Sequence, residues 1–176
     1  DDQVSIEEPL EIIIKYKDKE NWVESTISIT MRTPGDDENL VSGFLFNERV
    51  IEKIDYIESI ELAGDPVGQY KLRNKAVVTI NNSENIDIDK IKRNFLTNSS
   101  CGVCGKTSLE SLEIIKKDKI IKSLPKIHHE IIMKSPDILK QNQSEFSKTG
   151  GIHASGLFGV NGEIIAVKED VGRHNA

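Results

Sequence analysis

A chain of 176 residues can build one domain of ordinary size, or one domain with a small appendage. With 37% apolar and 30% charged residues it has the make-up of a folded globular protein. No apolar run nears the roughly 20 residues that span a bilayer, no basic leader precedes an apolar block, and a net charge of −6 weighs against bulk nucleic acid or an anionic membrane as partner.

A soluble, cytoplasmic protein is the expectation. The segments 10–16 (LEIIIKY) and 22–30 (WVESTISIT) predict two strands joined by the polar turn 17–21, with Val23, Ser25, Ile27 and Ile29 sharing one face. After the break at 31–35 (MRTPG), Asp36, Asp37 and Glu38 favour the positive end of a helix that carries Leu40, Val41, Phe44 and Leu45 on one face and ends near Glu48. Arg32, just before that helix, reads as a structural residue fixing the strand-to-helix turn. Two further strands are expected over 54–62 and 70–80, and a helix over 86–96 with Ile88, Ile91 and Phe95 inward.

The loop 98–105 then leads into another helix. Thr107 to Glu110 has the spacing of a capping box, and Ser100 offers an alternative cap. Short strands are expected over 119–121 and 127–133. Ser135, Pro136 and Asp137 read as N-cap, first helical position and acidic first turn of a helix running to about Phe146. Asn161–Gly162 between two apolar runs signals a hairpin, and 171–176 (VGRHNA) reads as a strand-to-helix corner. The order of elements argues for an α+β or α/β fold with a three-layer core. We divide it into a β-rich part with one helix, 1–84, and a core over 85–176. The chain opens on Asp and stops where a new element begins, so a piece of a longer protein is expected.

Both cysteines fall in 98–106 (NSSCGVCGK), as Cys101 and Cys104. A structural zinc site wants four ligands, and His128, His129, His153 and His174 have no finger spacing among them; His128 and His129 would point to opposite faces of a strand. A deaminase-type zinc site needs H-x-E upstream of the cysteines, whereas His153 and His174 lie downstream and neither is followed by Glu. A thioredoxin-like dithiol should follow a strand, and here a helix is expected. A nucleophilic thiolate fits the surroundings best. A helix N-terminus and the cation Lys106 lower a thiol's pKa, and Gly102 and Gly105 leave room for backbone N–H groups to face an anion. Six lysines against three acids between Cys101 and Lys126 make this stretch locally positive, although most of those lysines suit a solvated helix face.

The stretch 93–106 (RNFLTNSSCGVCGK) resembles the signature of the formate dehydrogenase accessory sulfurtransferases, the FdhD/NarQ family. Three further blocks resemble it in the same order: 31–46 (MRTPGDDENLVSGFLF), 149–156 (TGGIHASG) and 169–176 (EDVGRHNA). The resemblance implies a sulfur carrier that takes a persulfide from a cysteine desulfurase. It would pass the sulfur to the molybdenum or tungsten bis-guanine-dinucleotide cofactor, a bound substrate, so that formate dehydrogenase becomes active. It implies Cys101 as the persulfide bearer with Cys104 as its partner, a cytidine-deaminase-like core, a homodimer, and a cofactor surface that continues past 176. No resident metal is expected. Alternatives are a cofactor chaperone without obligatory sulfur transfer, and a zinc protein of deaminase type. Lys106 is placed beside the sulfur site, among the residues expected to bind the cofactor. Arg173 and His174, following Gly172, suit nucleotide phosphates, or else form a corner in which Asp170 pairs with Arg173. His153 either reaches the same pocket or is a satisfied interior histidine.

Overall fold

The structure is a computed structural model, and it describes residues 2–81 and 125–176. These fall into two units, residues 7–81, and residues 2–6 together with 125–176. The boundary expected at 84–85, the helix expected over 86–96 and the strand expected over 119–121 lie outside the described residues.

In the first unit β1 (Glu8–Asp18) and β2 (Asn21–Arg32) form the expected hairpin. The helix α1 (Asp37–Asn47) follows, with Asp36 as N-cap and Glu48 as C-cap. β3 (Ile57–Ala63) and β4 (Lys75–Ile80) complete an antiparallel pair. Both are shorter than expected, because 54–56 is a single 3-10 turn and the approach to β4 is irregular. The sheet order is β2-β1-β4-β3, with β1 and β4 parallel at its centre. A parallel pair needs a crossover, and here that crossover contains α1.

Burial explains why these residues form these elements. Leu10, Ile12 and Ile14 of β1 and Ala76, Val78 and Ile80 of β4 alternate inward at the strand period of two, and Val41 and Leu45 of α1 meet them in one core cluster. Each of the Leu, Ile and Val side chains taken out of water contributes roughly 1.5–3 kcal/mol, and Ala76 less. β2 departs from its expected alternation. Ile12 pairs with Ser28 and Ile13 with Thr26, so Ile27 is the extra residue of a β-bulge. A bulge switches the parity of the strand. Ile29, expected inward, is therefore 55% exposed, whereas Arg32 is turned inward and fully buried.

Arg32 is the joint of this unit, as expected for a structural residue. Its Nε donates to Asp37 Oδ1 at 2.7 Å and its second terminal nitrogen to Asp37 Oδ2 at 3.4 Å. The remaining donors reach the backbone oxygens of Glu8, Pro9 and Arg73 and the Asn74 side chain, each at 3.3 Å. One guanidinium thereby ties the start of β1, the end of β2, the start of α1 and the approach to β4.

The second unit corrects three expectations. Residues 129–133 are helical, not a strand, and Ser135–Pro136 does not open a helix. Both belong to α2 (His129–Gln141), which has His128 as N-cap and Pro136 in its interior. Proline lacks the N–H that would bond the carbonyl four residues back. That carbonyl belongs to Ile132, and Ser135 Oγ donates to it at 2.8 Å, supplying the bond the proline removes. Ile131, Ser135, Ile138 and Leu139 form the less exposed stripe of α2, at helical spacing. The helix expected to reach Phe146 ends at Gln141, and a short α3 (Ser144–Thr149) follows. Its first turn is capped from a distance: Glu169 accepts the N–H groups of Glu145 and Phe146, both at 2.9 Å, and the hydroxyl of Ser144 at 3.2 Å. Ser5 and Thr149 share a hydroxyl–hydroxyl bond of 3.1 Å, which fastens residues 2–6 to α3.

The expected hairpin is β5 (His153–Phe158) and β6 (Ile164–Asp170), antiparallel. Its connection is longer than the two-residue turn that Asn-Gly most often makes. Gly162 N–H bonds Gly159 O at 3.0 Å and Gly159 N–H bonds Glu163 O at 2.9 Å. Gly162, with φ +88°, closes the loop in the left-handed region, and the ladder slips by one residue at Ile165, between the pairs Leu157–Ala166 and Phe158–Ile164.

Candidate functional site

Three of the six residues singled out by sequence, Cys101, Cys104 and Lys106, lie outside the described residues. The other three, His153, Arg173 and His174, are brought to one end of the β5–β6 hairpin. His153 opens β5 and pairs in register with Asp170, the last residue of β6, so the turn carrying Arg173 and His174 starts beside it. All three side chains are exposed. For His153 that excludes the interior-histidine reading.

The turn is built by Asp170, which is 5% exposed. Its Oδ1 accepts the Gly172 N–H at 2.7 Å and the Asn175 side-chain amide at 3.3 Å. The chain then curls: the N–H groups of Asn175 and Ala176 both bond Gly172 O, at 2.9 and 3.2 Å. Gly172 suits this turn by closeness. A Cβ there would stand 3.0 Å from Asn175 Nδ2 and 3.2 Å from Asp170 Oδ1, crowding the bonds that form the turn. The segment thus bends and turns directly after β6, and the described residues end before any helix.

Electrostatics follow from this geometry. The two acids of the block turn their carboxylates onto backbone donors, Glu169 onto α3 and Asp170 onto the turn. Arg173, His174 and Lys168 are exposed, the last on β6 opposite Ser155. A guanidinium in such a place can grip a phosphate with two parallel N–H bonds, and an imidazole adds a donor or an acceptor. The roles of Glu169 and Asp170 as holders escape sequence reading. An acid pair before Val-Gly reads equally as ordinary surface charge, and Glu169 bonds a helix more than twenty residues upstream.

His128, His129 and Glu130 form a second cluster. In a strand the two histidines would diverge, but at the head of α2 their ring centroids are 4.5 Å apart. No described helix is long and apolar enough to cross a membrane.

Comparison with known proteins places these blocks. The model of the FdhD/NarQ family matches residues 5–176. The chain is 44% identical over 176 residues to the sulfur carrier protein FdhD of Picrophilus torridus, covering 99% of this chain and 61% of the relative. It is 40% identical to the sulfur carrier protein FdhD of Sulfurisphaera tokodaii, covering 100% of this chain and 60% of the relative. It thus spans about three-fifths of the length of these curated relatives. A crystal structure described as a formate dehydrogenase accessory protein, from Desulfotalea psychrophila, shares the fold with a TM-score of 0.61 at 21% identity, over 99% of this chain and 57% of that one. With a family match that runs almost from end to end and includes all four blocks, the chain belongs to the FdhD/NarQ family.

Proposed function

We propose that the chain is a sulfur carrier that serves the activation of formate dehydrogenase. The observation that carries this reading is the identity of 40–44%, over essentially the whole chain, to proteins named sulfur carrier FdhD. Cys101 acts as the nucleophile. Its thiolate attacks the outer sulfur of a persulfide on a cysteine desulfurase, the donor's S–S bond breaks, and the donor cysteine leaves as a thiolate while Cys101 keeps the sulfane sulfur. Cys104 partners it, and Lys106 lowers the thiol's pKa by its charge. The acceptor is the molybdenum or tungsten bis-guanine-dinucleotide cofactor, bound as substrate, with Arg173, His174 and His153 facing its phosphates. A homodimer with a cytidine-deaminase-like core, working in the cytoplasm, completes the reading.

Incubation with a cysteine desulfurase and cysteine should add about 32 Da to the chain, the mass of one persulfide sulfur. The adduct should be absent from Cys101→Ala. An unmodified wild-type chain, or an adduct that survives Cys101→Ala, overturns the assignment. Cofactor sulfuration that stays intact without either cysteine would identify a carrier of the dinucleotide alone.

A further inference from the structure

The cluster at the head of α2 has no part in the proposed sulfur chemistry. His128, His129 and Glu130 each offer one donor atom, and these donors lie within 4.8 Å of one another. His128 Nδ1 stands 3.9 Å from Glu130 Oε2, and both side chains are 62% exposed. The backbone arranges this. His128 is extended, with φ −68° and ψ 137°, and the chain turns helical at the next residue. Across such a junction residues 128 and 130 face each other, while the ring of His129 leans on that of His128 at 35°. As N-cap, His128 makes no side-chain bond to the helix, so its ring is not engaged in capping.

We propose that His128, His129 and Glu130 form a surface site for a divalent transition-metal ion of the zinc type. Two imidazoles and one carboxylate are the donors that borderline-soft ions take, and the exposed side leaves the remaining positions to water. Ligands about 2.0–2.2 Å from a tetrahedral ion are separated from one another by about 3.4 Å. The present spacing of up to 4.8 Å is only a little wider, and all three side chains are exposed, with room to turn toward an ion. The positive end of the α2 dipole opposes a cation. The Glu130 carboxylate offsets it, which gives the acid its part as third ligand. Harder cations such as magnesium prefer all-oxygen sets and are excluded by the two imidazoles.

Titration calorimetry with zinc chloride tests the site in the chain carrying Cys101→Ser and Cys104→Ser, which removes the thiolates as competing ligands. One zinc per chain is expected. Affinity should fall at least about tenfold with His128→Ala or with His129→Ala, and several-fold with Glu130→Gln, each about what losing one ligand of three does. His153→Ala and His174→Ala should leave it unchanged. Absence of zinc binding in the cysteine-free chain, or binding insensitive to His128→Ala and His129→Ala, overturns the proposal. Because all three residues are exposed, circular dichroism of the variants should match the parent, and lost binding then reports lost ligands.

Discussion

Glu11 shows how a single side chain can read as surface and still join three strands. It lies on the face of the sheet opposite α1, accepts the Thr26 hydroxyl at 2.7 Å, and meets Lys75 Nζ at 3.1 Å. The Thr26 bond, ahead of the Lys75 bond and charge, holds its carboxyl below the ordinary value of 4.5, against a smaller upward pull from burial. A lowered folded-state pKa stabilises the fold above the ordinary value and is lost as pH falls through the folded one. Carbon NMR titration should therefore find Glu11 titrating below 4.5, and Thr26→Val should move it upward. An unchanged midpoint in Thr26→Val would remove the hydroxyl as the cause. Arg32 was legible at this scale, since an arginine before T-P-G and three acids has a partner within reach. Glu169 was not, because its helix lies elsewhere in the sequence.

At the scale of elements, local signals succeeded where one face of an element is buried and failed where two signals competed. The helix α1 has acids in its first turn and an apolar face that the core accepts, so sequence and structure coincide. In α2 the Ser-Pro-Asp start signal and the β-branched run 131–132 pointed to a strand followed by a new helix. Packing decided otherwise. Ile131 and Leu139 lie against the β5–β6 hairpin, close to Gly162 and Gly156, and Ser135 compensates for the proline. A two-stranded hairpin is marginal by itself, so this packing sustains both partners. A Cβ at Gly156 would stand 2.8 Å from Phe158 Cε2 and 2.9 Å from Leu139 Cδ1. Gly156→Ala should cost about 1 kcal/mol, the low end for overpacking because the side-chain ends of Phe158 and Leu139 can give way, measured by urea unfolding. Combined with Leu139→Ala it should cost less than the sum of the two single changes. Strict additivity would show that Leu139 does not cover Gly156.

On the scale of the whole molecule, long-range closure of the first unit rests on Arg32, whose bonds reach across 41 and 42 positions to Arg73 and Asn74. Replacing it with methionine keeps much of the volume but leaves Asp37, 7% exposed, as an uncompensated buried charge. Removing one partner of such a pair costs about 3–5 kcal/mol, and Arg32→Met should lower the urea midpoint accordingly. Arg32→Lys should recover only part of the loss, because a point charge cannot reproduce the two-pronged bond to the carboxylate. A midpoint unchanged in Arg32→Met would show that the network is decorative.

By itself the sequence determined the family, the strand–strand–helix opening, the final hairpin and the grouping of His153, Arg173 and His174 in two short blocks. These depend on local periodicity, turn chemistry and residue order, all of which are written along the chain. Only the tertiary structure decided the bulge at Ile27 that turns Arg32 inward, the passage of α2 through Pro136, and the remote capping of α3 by Glu169. It also decided the meeting of His128, His129 and Glu130. Each of these turns on which groups come together in space, and a buried donor or acceptor takes whichever partner the fold delivers to it.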